Sequence, residues 1–136
     1  MSSFKVFDIA GSGMSAQTVR LNTVASNLAN ANSVSGDPSQ VYKARHPVFQ
    51  ALRSGAGGED GAAVQVLGIT ESQAAPLTRY EPGNPLADAN GYVYSPNVSV
   101  VEEMVDMISA ARSYASNVEV INTSKELLLA TLRLGS

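Results

Sequence analysis

The sequence predicts an α+β fold, with long helices at its two ends and a small β-rich unit between them. Three observations predict it. Apolar residues recur at helical spacing over 2–34 and again over 98–134. All 6 prolines, and most of the 11 glycines, fall within 35–97. Short alternating runs of apolar and polar residues stand only in that middle stretch. The expected division is an N-terminal helix over 1–34, a β- and turn-rich middle unit over 35–97, and a C-terminal helix over 98–136. Each terminal helix carries a stripe that the other helix, or another molecule, must cover.

The first helix is read from a heptad. Phe7, Met14, Leu21 and Leu28 recur every seven residues. Phe4, Gly11, Thr18 and Ala25 precede them by three, and Ala10, Val24 and Ala31 flank the same seam. The stripe is narrow and rich in small residues, which suits close approach of another helix. The opposite face is Ser, Gln, Asn and Thr with one Arg, so it lacks the charge of an ordinary solvated face. The stretch "DIAGSGMSA" within this helix also fits G-x-G-x-x-A. A dinucleotide loop needs a strand before it and a second strand after the helix, ending in an acidic residue about twenty positions on. Asp37 stands near that distance, but "ANSVSGDPSQ" around it is a turn. The heptad also runs through Gly11 and Met14 without a break. The expectation is therefore a helix carrying two glycines, in which Gly13→Ala is tolerated unless a neighbouring helix touches the Gly13 backbone.

In the middle unit "VYKARHPVFQAL" and "AAVQVLGITE" are strand candidates, with Val64 and Val66 on one face and Leu67 and Ile69 on the other. The glycine-rich "RSGAGGEDGA" between them reads as a flexible loop. "YEPGNPLADANGYVYSP" is turn chemistry throughout, and Asn90-Gly91 before "YVYS" reads as a tight hairpin turn.

The last helix opens on S-x-x-E, Ser99 to Glu102, a capping box. Val101, Met104, Ile108, Ala111, Ala115 and Val118 follow at helical spacing. Beyond Val118 the stripe drifts: Asn122 and Lys125 take the old seam, and Ile121, Leu128 and Leu132 carry the apolar face. Gly135 is the expected stop. A helix over 99–133 is about 50 Å long at 1.5 Å per residue, so it needs the first helix or another molecule to cover its stripe.

Composition excludes several classes. The 136 residues suffice for one domain with a modest core. A hydrophobic share of 44% against 15% charged argues against a disordered chain. A net charge of −3 argues against a nucleic-acid binder. With no cysteine, disulfides and thiolate metal sites are excluded. The N-terminal stretch lacks the unbroken apolar segment of a cleaved secretory signal, and no run approaches the roughly 18 apolar residues of a membrane span.

Catalytic constellations are missing as well. His46 is the only histidine, so neither a zinc set nor a triad can be completed. The acidic pair Glu59-Asp60 falls in the glycine-rich loop, and Glu102-Glu103 caps a helix. No G-x-S-x-G elbow surrounds any serine. Arg112 and Tyr114 read as a solvated cation and a packing ring. No cofactor, metal or small-molecule substrate is expected.

Three segments together carry a family resemblance. "RLNTVASNLANANSVSG" resembles the N-terminal signature of flagellar rod, hook and hook-associated proteins. "NPLADANGYVYSPNVSVVEEM", followed by "ISAARSYASNVEVINTSKELLLATLRLG", resembles the C-terminal half of the short, proximal members of the flagellar basal-body rod family. The resemblance spans nearly the whole chain apart from about 53–62. It implies a structural, non-enzymatic subunit whose terminal helices pack together as a coiled-coil-like domain, exported unfolded by the flagellar type III apparatus without signal cleavage, and assembled helically in the periplasm to transmit torque for motility. Implied partners are other rod subunits, copies of itself, the basal-body ring and adaptor proteins, and the export apparatus. By position Asn27, Asn30 and Ala31 fall in the N-terminal motif, and Asn90, Gly91, Tyr92, Pro96 and Asn97 in a turn motif. Glu102, Met104, Tyr114, Asn117 and Asn122 fall in the C-terminal helix motif. Gly13 and Asn84 depart from the residues frequent there, Ala and His. Residue pattern and resemblance together nominate an assembly interface of Phe7, Met14, Leu21, Asn27, Leu28, Asn30, Met104, Ile108, Ala111, Ala115, Val118 and Leu128. The competing reading from the residues alone is a soluble helical adaptor that holds a partner helix in its groove.

Overall fold

Helical periodicity in the first segment produces one unbroken helix, α1, over Ser3–Asn30. The computed structural model describes residues 3–53 and 61–136. Gly11 and Gly13 lie inside α1, so "FKVFDIA" is helix and not the strand that a dinucleotide loop requires. The helix stops short of the expected residue 34. Ala31 and Ser33 donate their N–H groups back to Leu28 O and Asn30 O in a closing turn, because "NSVSG" offers short polar side chains that compete for the backbone. A 3₁₀ turn over Pro38–Gln40 follows, capped by Asp37, whose side chain accepts from Ser39 N–H.

Strand β1 (Arg45–Arg53) pairs antiparallel with β2 (Ala62–Glu71), with a bulge between Val48 and Phe49. The first strand begins four residues later than its sequence suggests. Val41 and Ala44 are buried at the lead-in, and Ala44 O accepts from Ser72 N–H. The expected alternation holds in β2: Val64 and Val66 are half-buried, while Leu67 and Ile69 are more than half exposed. Most of the glycine-rich loop, with Glu59-Asp60, lies outside the described residues.

A second two-stranded sheet pairs β3 (Leu77–Tyr80) with β4 (Tyr92–Ser95), and Ser35 joins its edge through a pair of backbone hydrogen bonds with Tyr94. The tight hairpin expected at Asn90-Gly91 is not formed. The whole of 81–91 connects these strands, and Gly91 ends that connection with φ +85°, donating to Asp88 O while Glu81 N–H donates to Gly91 O. The prolines at 82 and 85 keep the chain from pairing earlier, since neither has an N–H to donate.

Helix α2 covers Val100–Leu134. Ser99 is its N-cap and accepts from Glu102 N–H, which is the serine half of the expected capping box. Gly135 closes the other end, donating to Thr131 O with a negative φ rather than the left-handed turn glycine often supplies. Contacts of Gly13 with Asn117 and of Arg20 with Asp106 fix α1 and α2 as antiparallel. The observed class is α+β, as expected. α1 is the centre of the molecule, with α2 along one side and the β1–β2 hairpin along another. The apolar core is made of small residues: Ala10, Ala16, Val24, Ala31, Val93 and Ala110 are all buried.

Candidate assembly interface

The side of α1 that meets α2 is built from Ala10, Gly13, Gln17, Arg20 and Val24, at helical spacing. Arg20 places a guanidinium nitrogen 2.7 Å from Asp106 Oδ1 on α2. Both partners are partly exposed, so the pair sets register more than it adds stability. Gln17 and Glu103 each bury one side-chain oxygen that lacks a hydrogen-bond partner. The seam between the helices is therefore small and polar, and it is not the heptad of large residues. Phe7, Met14, Leu21 and Leu28 are half-buried along its rim, while Phe4, Thr18 and Ala25 are exposed. The contact within the chain falls beside the heptad stripe, and the reason is steric: close antiparallel approach selects Gly and Ala at the contact.

The hairpin side of α1 holds a hydrogen-bonded anchor. Asn27 is 0% exposed. Its Nδ2 donates to Arg45 O at 2.9 Å, and its Oδ1 accepts from Arg45 N–H at 2.9 Å and Tyr42 OH at 2.8 Å. Since Tyr42 gives its one proton to Asn27, Ser26 is the donor in the 3.0 Å contact with Tyr42. Further along, Ser12 Oγ accepts from Val64 N–H, which ties β2 to the same helix. Asn27 is thus spent inside the chain, and Asn30 bonds its own helix at Ser26 O.

On α2 the outcome is sharper. Glu103 and Ala110 are buried and Asn117, Ile121 and Leu128 half-buried, all on the side toward α1. The stripe singled out in the sequence lies on the opposite face. Val101 is 72% exposed, Met104 53% and Ile108 55%, with Val105 beside them at 60%. Ala111 and Ala115 continue that face into solvent, and Val118 sits half-buried at its margin. Tyr114, Asn122 and Arg112 are exposed.

The turn motif is organised by a residue the sequence reading missed. Asp88 Oδ1 accepts from Asn90 N–H and Tyr92 N–H, and its Oδ2 accepts from Tyr94 OH. These bonds, that from Tyr92 N–H first, hold the Asp88 carboxyl below the usual carboxylate range. The signal was present as Asp-x-x-Gly, the pattern of an Asx turn. Gly91 is buried, Tyr92 packs a tilted ring 5.2 Å from Tyr80, and Pro96 is fully buried. Asn97 lines a shallow cleft of about 280 Å³ between Tyr42 and Gln73. His46 is exposed on β1, opposite Thr70. Among the described residues no three His, Asp or Glu side chains gather as a metal set, and no helix is long and apolar enough to cross a membrane.

Comparison with known proteins matches both ends of this helical pair. The profile of flagella basal body rod proteins matches residues 7–36. That of the flagellar basal body rod FlgEFG protein C-terminal region matches residues 89–134. The chain is 55% identical over 135 residues to the flagellar basal-body rod protein FlgC of Salmonella typhimurium, covering 99% of each chain. It is 53% identical to FlgC of Yersinia enterocolitica, again over 99% of both. To FlgC of Aquifex aeolicus it is 43% identical over 96% of both.

Proposed function

Because the chain belongs to the family of flagellar basal-body rod proteins, we propose that it assembles helically with other rod subunits, through helix faces its own fold leaves uncovered, and transmits torque in the periplasm. Membership makes it a structural subunit of the basal-body rod, in a family not known for catalysis. The observation that carries the assembly reading is the bare stripe of Val101, Met104, Val105 and Ile108, on the face of α2 turned away from α1. An exposed apolar stripe on a folded chain marks a contact surface. The outer face of α1 suits burial too, since its Ser, Asn and Thr side chains can hydrogen-bond across a contact where lysine would need a charge partner. Export through the flagellar type III apparatus without a cleaved signal, and contact with the basal-body ring and adaptor proteins, complete the reading.

Met104→Asp and Ile108→Asp test it, because both side chains project away from the chain's own packing. Each variant is expected to be exported at normal levels, to be missing from isolated basal bodies and to leave cells non-motile. Normal incorporation of both variants contradicts the assembly reading.

A further inference from the structure

We propose that Asn90 is a site of spontaneous deamidation that the native fold holds shut, so that the Asn90-Gly91 bond ages in the unfolded chain and is spared in the folded one. Asn90 alone among the asparagines is followed by glycine. Glycine has no side chain to shield its own nitrogen, so the Gly91 nitrogen has the clearest approach to the carboxamide beside it. In the reaction Gly91 N gives up its proton and attacks Asn90 Cγ. The N–Cγ bond forms, the Cγ–Nδ2 bond breaks, and ammonia leaves. Water then opens the cyclic imide at either carbonyl. One product is aspartate. The other is isoaspartate, in which the main chain runs through Cβ and Cγ and is one carbon longer.

Two features of the folded loop oppose ring closure. Gly91 is buried and its N–H donates to Asp88 O at 3.0 Å, so the nucleophile is neither free nor open to the base that must take its proton. That bond closes a turn over 88–91, and no described residue other than glycine has a positive φ, which leaves a type I turn. Its third residue, Asn90, then has a ψ of about 0°. Ring closure needs Gly91 N rotated round to the side of Asn90 Cβ instead. Asn90 N–H and Tyr92 N–H, both held by Asp88 Oδ1, brace the turn on either side of Gly91. Asn90 itself is exposed, so water reaches it as soon as the turn opens. The longer product is excluded as well. A Cβ on Gly91 would lie 2.9 Å from the Tyr80 ring and 3.1 Å from Pro82 Cβ, so the site is already full. An extra main-chain carbon beside Gly91 cannot be housed while Glu81 N–H still donates to Gly91 O. An isoaspartate chain therefore cannot close the loop that pairs β3 with β4.

The test holds the full chain in mildly alkaline buffer, with and without guanidinium chloride, and follows the mass gain of amide-to-acid conversion. Trypsin releases residues 80–112, which hold Asn84, Asn90 and Asn97, and fragmentation of that peptide assigns the gain to one of them. Asn90 is expected to convert first in denaturant, and at least about tenfold more slowly in the folded chain, where the turn must open before the ring can close. Equal rates overturn the proposal, and so does faster conversion at Asn97 in denaturant. Asp88→Ala, checked for retained helix by circular dichroism, is expected to bring the folded rate toward the denatured one. Asp88→Asn keeps an acceptor and is expected to stay close to the parent. An Asp88→Ala chain as slow as the parent overturns the turn as the source of protection. Isoaspartate chain, separated and returned to native buffer, is expected to lack the near-ultraviolet tyrosine signal of the closed loop. Full recovery of that signal overturns its exclusion from the fold.

Discussion

Gly13 of α1 faces Asn117 of α2 so closely that a Cβ on Gly13 would lie 2.9 Å from Asn117 Nδ2. The Asn117 amide is held there by its own bond to Ser113 O at 2.9 Å. The same Cβ at Gly11 would meet nothing within 4 Å. Two glycines two residues apart in one helix therefore have opposite packing duties.

Gly11→Ala is expected to stabilise the chain by about 0.5–1 kcal/mol, since alanine loses less backbone entropy in a helix. Gly13→Ala forfeits that gain, because Asn117 must rotate off Ser113 O to admit the methyl group. The condition attached to Gly13 in the sequence is met, so plain tolerance is replaced by a conditional cost. Thermal unfolding of both variants checks this, and the Asn117→Ala background is expected to restore the benefit at Gly13. Equal gains from both glycines in the parent chain would contradict the contact.

Asn27→Ala is expected to cost about 2–3 kcal/mol, because it strands the N–H and C=O of Arg45 that the buried Asn27 amide satisfies. Tyr42→Phe removes one bond of that network and is expected to cost about 1 kcal/mol. Denaturant titration of the two variants measures both, and a neutral Asn27→Ala would mean the anchor is not formed.

The loop around Asp88 is expected to loosen in acid. Its carboxyl titrates below the usual 3.8, so its contribution is fully present above that value and is lost as pH falls through the lowered one. Asp37 is lowered too, first by its side-chain bond to Ser39, so the two must be separated. Asp88→Asn keeps an acceptor for Tyr92 N–H while removing the titration, and its near-ultraviolet tyrosine signal is expected to change less between pH 5 and pH 2 than the parent's. Identical pH profiles would remove Asp88 from the account of the loop.

Ser99→Ala is expected to weaken α2 by about 1 kcal/mol through loss of its cap. Amide exchange at Glu102 and Glu103 is the sensitive readout, and unchanged exchange there would assign the cap elsewhere.

The architecture was legible because helical period, turn chemistry and capping each leave local marks. Which face packs inward was not. Periodicity weights the largest apolar residues, and in this chain Phe7, Met14, Leu21, Met104 and Ile108 lie at the rim or outside. The inward seam is made of Gly13, Ala10, Ala110 and Asn117, whose small or polar side chains carry no such signal. Strand β3 was invisible for a related reason: "LTRY" is four residues long and exposed at every position. Asn90-Gly91 gave a correct glycine and a wrong loop, because turn preference fixes local dihedrals and says nothing of where the partner strand lies.

The most direct measurement is cryo-electron microscopy of isolated basal bodies, at a resolution that identifies side chains. Density in the rod is expected to fit this chain, with the face of α2 bearing Val101, Met104 and Ile108 covered by a neighbouring subunit. A rod with no density for the chain, or one in which that face stands open to solvent, would contradict the central claim.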